Sequence, residues 1–111
     1  MWIEAITVRT ARPEQCAGLL EELAAFQQKG EASSETLGPE SFDCYRNLEV
    51  ENEISIHLLW KDTQQPPAKT DCGLLIARRL TQYGMVRHTL WKRSENSIPA
   101  PPSDGRERKY A

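Results

Sequence analysis

Residues 53–60 read Glu-Ile-Ser-Ile-His-Leu-Leu-Trp (EISIHLLW), with Ile54, Ile56, Leu58 and Trp60 at every second position. Side chains of a strand point alternately to opposite faces, so this spacing predicts a β-strand whose apolar stripe packs against helices. It is the most apolar stripe in the chain. Just before it, Ser41 to Leu48 alternates in the same way, and Glu49, Val50, Glu51 and Asn52 have the length and composition of a hairpin connection.

Working outward, Trp2 to Arg9 is a third alternating run, with Trp2, Glu4, Ile6 and Val8 on one face and Ile3, Ala5, Thr7 and Arg9 on the other. Pro13 suits a first helical turn, and Cys16, Leu19, Leu20, Leu23 and Ala24 recur at helical spacing up to a candidate C-cap at Gly30. Glu31 to Glu40 is rich in Ser, Glu, Gly and Pro and reads as a loop. After Pro66 and Pro67, Thr70 or Asp71 can cap a second helix carrying Cys72, Leu75, Ile76, Leu80 and Tyr83, which Gly84 ends. Met85 to Lys92 is the last strand, with Met85, Arg87, Thr89 and Trp91 alternating against Val86, His88 and Leu90. The domain is expected to span residues 1–94. Residues 95–111, proline-rich and charged, cannot bury enough apolar surface to offset ordering and are expected to form a flexible tail.

The whole is 111 residues, enough for one modest core. Fourteen basic residues against sixteen acidic ones give a net charge of −2, too little field to hold a nucleic acid or an anionic membrane. No apolar run approaches the ~20 residues of a membrane span. The first ten residues lack the basic-then-apolar plan of a secretory signal, so a cytoplasmic protein is expected. Cys16, Cys44 and Cys72 form no CxxC pair and have no His at ligand spacing, which leaves buried reduced thiols as the expectation and no metal site. A thiol near a helix N-terminus, Cys16 or Cys72, is the candidate for reactivity.

Strand, helix, strand, strand, helix, strand is the split βαβ arrangement: a ferredoxin-like α+β fold with a four-stranded antiparallel sheet and both helices on one side. The other side then lacks cover, although Ile3, Ala5, Tyr45, Leu59, Val86 and Leu90 are expected there. A contiguous apolar sheet face needs a partner, and a homodimer through this face is the simplest one.

From Met1 to Ser94 this layout resembles the dimeric α/β-barrel superfamily, in particular its antibiotic-biosynthesis-monooxygenase-like branch. The apolar third strand ending in Trp60, the short loop into a helix and the closing strand with Trp91 carry the resemblance. It implies two sheets packed face to face, a ligand cleft between sheet and helices, and oxidation of aromatic substrates without metal or flavin in some members. Other members degrade haem. That branch needs an asparagine on the first strand and a histidine on the second helix, where this sequence offers Glu4 and Thr7 and no histidine at all, so no cofactor is expected.

Trp60 matches the tryptophan that ends the third strand in many relatives, and it also suffices as a core anchor. Glu4, Arg46 and Arg87 fall on positions otherwise apolar on the helix-facing stripes, so they should be paired or line a polar cleft. With Trp60 and Trp91 they form the candidate ligand site, where arginine would hold a small aromatic anion through its forked donors. His57 and His88 are expected together on the buried sheet side, where neutral imidazole could accept a proton. No catalytic residue is assigned. Two functions remain: a cofactor-independent monooxygenase-like enzyme acting on a small aromatic molecule, or a non-catalytic dimeric module that binds a ligand or partner protein. An RNA-binding βαββαβ domain is disfavoured, since EISIHLLW lacks the exposed aromatics such a domain stacks on bases.

Overall fold

The computed structural model describes residues 1–28 and 38–94, apart from the side chains of residues 26–28. Along the chain run β1 (Trp2–Thr10), α1 (Gln15–Gln28), β2 (Ser41–Arg46), β3 (Glu53–Trp60), α2 (Asp71–Leu80) and β4 (Gly84–Lys92). The strands form one antiparallel sheet in the order β2-β3-β1-β4, the ferredoxin-like α+β arrangement expected from the element order. The expected cap at Gly30, most of the expected 31–40 loop and the expected tail lie outside the described residues.

The EISIHLLW stripe is the centre of the core. Ile54, Ile56, Leu58 and Trp60 are buried with Trp2, Ile6 and Val8 of β1, under Cys16, Leu19 and Leu23 of α1 and Ile76 and Leu80 of α2. Each of these aliphatic side chains contributes about 1.5–3 kcal/mol on leaving water. Tyr83, just beyond α2, donates its hydroxyl to Glu22 of α1 and ties the helices together.

The β2–β3 connection begins two residues earlier than expected, at Asn47. The Asn47 side-chain oxygen accepts from the backbone N–H groups of Glu49 and Val50 at 2.8 and 3.0 Å, an Asx turn that stops the strand. Gly84 opens β4 instead of closing α2, whose last helical residue is Leu80. A side chain at Gly84 would strike the backbone of Arg9, so glycine permits the close start of the β1–β4 pairing.

That pairing corrects the expected faces of β4. Val86, His88 and Leu90 are registered with Val8, Ile6 and Glu4 and lie on the helix side, while Met85, Arg87, Thr89 and Trp91 lie on the open side. Both sets contain large apolar side chains, so alternation alone does not choose between them. The open face therefore presents Ile3, Ala5, Tyr45 and Leu59, as expected, with Met85 and Trp91 in place of Val86 and Leu90. Cys44, expected to be buried, is exposed on the edge strand β2, while Cys16 is buried and Cys72 intermediate. Among the described residues no helix is long and apolar enough to cross a membrane.

Candidate functional site

Two polar constellations lie on opposite sides of the sheet. On the helix side, strand alternation places Glu4 between Trp2 and Ile6 in the core, with no exposure at all. A buried carboxylate is tolerated only if hydrogen-bonded on most of its lone pairs. Here all are met. Oε1 accepts from Trp60 Nε1 at 3.0 Å and from the Thr70 hydroxyl at 2.6 Å, and Oε2 accepts from the Thr70 backbone N–H at 2.9 Å. His88 Nε2 lies 2.7 Å from Oε2, and an ionised Glu4 requires that nitrogen to carry the proton.

The local sequence explains how α2 reaches this carboxylate. Thr70 is the N-cap, its hydroxyl oxygen accepting from Gly73 N–H at 3.0 Å while its proton goes to Glu4. Gly73 lies directly over the carboxylate, where any Cβ would collide with it. The positive end of α2 thus faces a negative charge. Next to it, burial and the charge of Glu4 push the Cys72 thiol up to about 11, which speaks against the alternative of a reactive cysteine there. Trp2 and Trp60, register partners, stack with ring centroids 6.2 Å apart and complete the wall.

On the open face, small side chains in mid-sheet leave a trough. Tyr45, Ser55, Thr7 and Arg87 lie side by side across the four strands. Thr7 and Ser55 share a hydrogen bond of 2.9 Å between their hydroxyls, and His57 Nε2 lies 3.0 Å from Ser55 Oγ. The Tyr45 ring packs against the His57 ring with centroids 4.6 Å apart and planes tilted by 45°. Burial lowers the pKa of His57, an effect that the charge of Asp43 partly opposes. Arg9 pairs with Glu53 at 3.2 Å, and Glu53 also accepts from Asn47 at 2.8 Å, which lowers its pKa.

The five expected ligand-site residues therefore do not converge. Glu4 and Trp60 meet in the helix-side core. Arg87 and Trp91, expected on the helix-facing stripe, are on the open face, while Arg46, registered with Ile54, is on the helix-facing side as expected but at the exposed end of β2, away from Glu4. The partner of Glu4 is not an arginine but His88, together with Thr70, and the two histidines are on opposite faces. Thr70 caps α2 as expected, but its bonds to Glu4 were not foreseen, nor were the roles of Gly73, Thr7 and Ser55. Among the described residues no three His, Cys, Asp or Glu side chains gather as a metal site.

An antiparallel β2-β3-β1-β4 sheet with both helices on one side defines the class, a ferredoxin-like α+β domain. Its solved neighbours are more particular. Rv0793 from Mycobacterium tuberculosis is similar over 88% of this chain and 100% of its own, with 14% identity and a TM-score of 0.55. A candidate antibiotic biosynthesis monooxygenase from Deinococcus radiodurans is similar over 91% and 100%, with 15% identity and a TM-score of 0.56. SnoaB, a cofactor-independent oxygenase from Streptomyces nogalater, in a mutant form, is similar over 89% and 98%, with 16% identity and a TM-score of 0.50. The chain shares its fold with these proteins. No family model matches the sequence, and no curated protein matches it.

Proposed function

We propose that this chain is a homodimeric binding module in which the helix-side cleft implied by the fold has become a structural knot. The observation that carries this is the Glu4 carboxylate. It has no exposure, and four protein groups occupy its acceptor positions, so no substrate can reach it without dismantling the start of α2. Trp60, at 1% exposure, is equally closed to a ligand. The three cysteines, none of them in a disulfide, suit a reducing cytoplasm.

The open face supports self-association. Leu59, Ile3 and Trp91 form an apolar row across three strands, flanked by the exposed Tyr45 and Met85. The outer strands of this face carry opposite charges, Asp43 on β2 and Arg87 on β4. Light scattering at tens of micromolar protein should give the mass of a dimer, and Trp91→Glu should halve it while leaving circular dichroism unchanged. A wild-type chain that stays a folded monomer would overturn the dimer.

A second reading, a cofactor-independent oxygenase acting on a small aromatic molecule, is favoured by His88. Its Nε2 is held by a carboxylate, and no partner of its other ring nitrogen is found among the described residues. A carboxylate-oriented imidazole can take a phenolic proton, and the resulting electron-rich anion can react with oxygen. Oxygen uptake with a panel of hydroquinones distinguishes the readings. Uptake abolished by His88→Gln establishes the oxygenase, and its absence in intact wild-type dimer supports the binding module.

A further inference from the structure

The geometry points to the open-face trough as a binding site for a small planar aromatic anion, a carboxylate or phenolate carried on a ring. This deepens the binding-module reading and rests on it. The trough exists because Thr7 and Ser55 are short where their neighbours across the sheet, Tyr45 and Arg87, are long. Two depressions of about 290 and 390 Å³ share Thr7, Glu53 and Arg87 and are parts of one groove. That is the lower end of the ~300–1,000 Å³ range of small-molecule sites.

The charges select an anion. Glu53 is already satisfied by Arg9 and Asn47. Among the described residues Arg87 has no ion pair, and it lines both parts of the groove, where its charge also reaches Glu53. Arginine presents two parallel N–H donors that match a carboxylate, a better fit than a point charge gives. The floor selects a second polar substituent. The hydroxyls of Thr7 and Ser55 and the imidazole of His57 form one hydrogen-bonded chain, in which each group can turn to donate or accept. The wall selects a ring, because the exposed Tyr45, tilted by 45° against His57, offers an aromatic surface on the same face as Arg87. In the dimer a second open face closes over the groove and removes water from the Arg87 pair, which strengthens it.

Salicylate is a suitable probe, having a ring, a carboxylate and a hydroxyl. Titration of the full-length protein, followed by calorimetry and by amide shifts, should show saturable binding of one salicylate per chain, with shifts concentrated at Thr7, Ser55, His57 and Arg87. Arg87 is exposed, so Arg87→Gln should keep the fold and weaken binding at least tenfold. Arg46→Gln, on the opposite face of β2, should leave binding nearly unchanged. Sulfate, lacking the ring, and phenol, largely uncharged at pH 7, should bind at least tenfold more weakly than salicylate. Binding that survives Arg87→Gln, shifts that map elsewhere, or sulfate binding as tight as salicylate would each overturn the site. Mass measured on the same samples separates the two levels. A dimer that binds none of the probes refutes the site and spares the dimer, whereas binding to a monomer refutes the dimer and spares the site.

Discussion

Gly73 of α2 and Glu4 of β1 are in such close apposition that a methyl group on the glycine would lie inside the contact distance of both carboxylate oxygens. The first turn of α2 is thereby seated on a buried charge, and residue 73 has no freedom to grow. Gly73→Ala gains helix propensity of up to about 1 kcal/mol. It must then displace either the helix or the carboxylate, an overpacking cost of typically 1–3 kcal/mol. The net outcome should be destabilisation, seen as a lower urea midpoint with an unchanged slope. A neutral or stabilised variant would show that the helix is not seated on the carboxylate.

With Glu4 ionised, the four groups around it all act as donors, so its replacement by glutamine is not conservative. The amide nitrogen of Glu4→Gln has two hydrogens and no lone pair, and in either orientation it faces donors. Breaking a buried charged network from one side costs about 3–5 kcal/mol, and glutamine should approach the lower end of that range. Thr70→Val removes both the α2 cap and one of the four donors. Because the two side chains are in one network, the double variant should lose less than the sum of the single losses. Additive losses in chemical denaturation would refute the shared network.

How much of this was legible depends on the strand. β3 could be read because one of its faces is wholly aliphatic or aromatic, and the helix-side position of Glu4 and Trp60 followed from the same period. β4 could not, because Met85 and Trp91 on one face balance Val86 and Leu90 on the other. One misplaced register carried Arg87 and Trp91 into the wrong site and put the two histidines together. The knot itself was beyond local reading. The partners of Glu4 stand 56, 66 and 84 positions away, and only the finished sheet brings them within bonding distance.

The thiols should separate by environment. Cys72 is held protonated by burial and by the Glu4 charge, with its pKa pushed up to about 11. The Cys44 thiol is raised by partial burial alone and is exposed on β2, while Cys16 is buried beneath Thr10. Since the thiolate is the reacting species, a disulfide reagent at pH 8 should label Cys44 first. Cys72 and Cys16 should follow only as the chain opens. Fast labelling of Cys72, located by mass spectrometry, would contradict the closed knot.

Mild acid should weaken the fold through His57. Burial holds its pKa below the ordinary value, against the pull of Asp43, so the folded chain binds that proton less readily than the unfolded one. The unfolded histidine takes up a proton near pH ~6.5. As pH falls from about 7.5 through that value, the unfolded state binds more protons and is favoured, so stability declines with this group's titration. Closing a second sheet over the open face increases the burial and shifts the balance the same way. Carboxylates with lowered pKa, such as Glu53, contribute stability above their unfolded values and lose it only at more acid pH. The two effects therefore occupy different windows. His57→Gln should flatten the decline in urea midpoint between about pH 7.5 and 5.5 and leave the steeper loss below about pH 4 in place. A variant whose midpoint falls as steeply as the wild type across the upper window would mean that the imidazole on the open face is not the group being titrated.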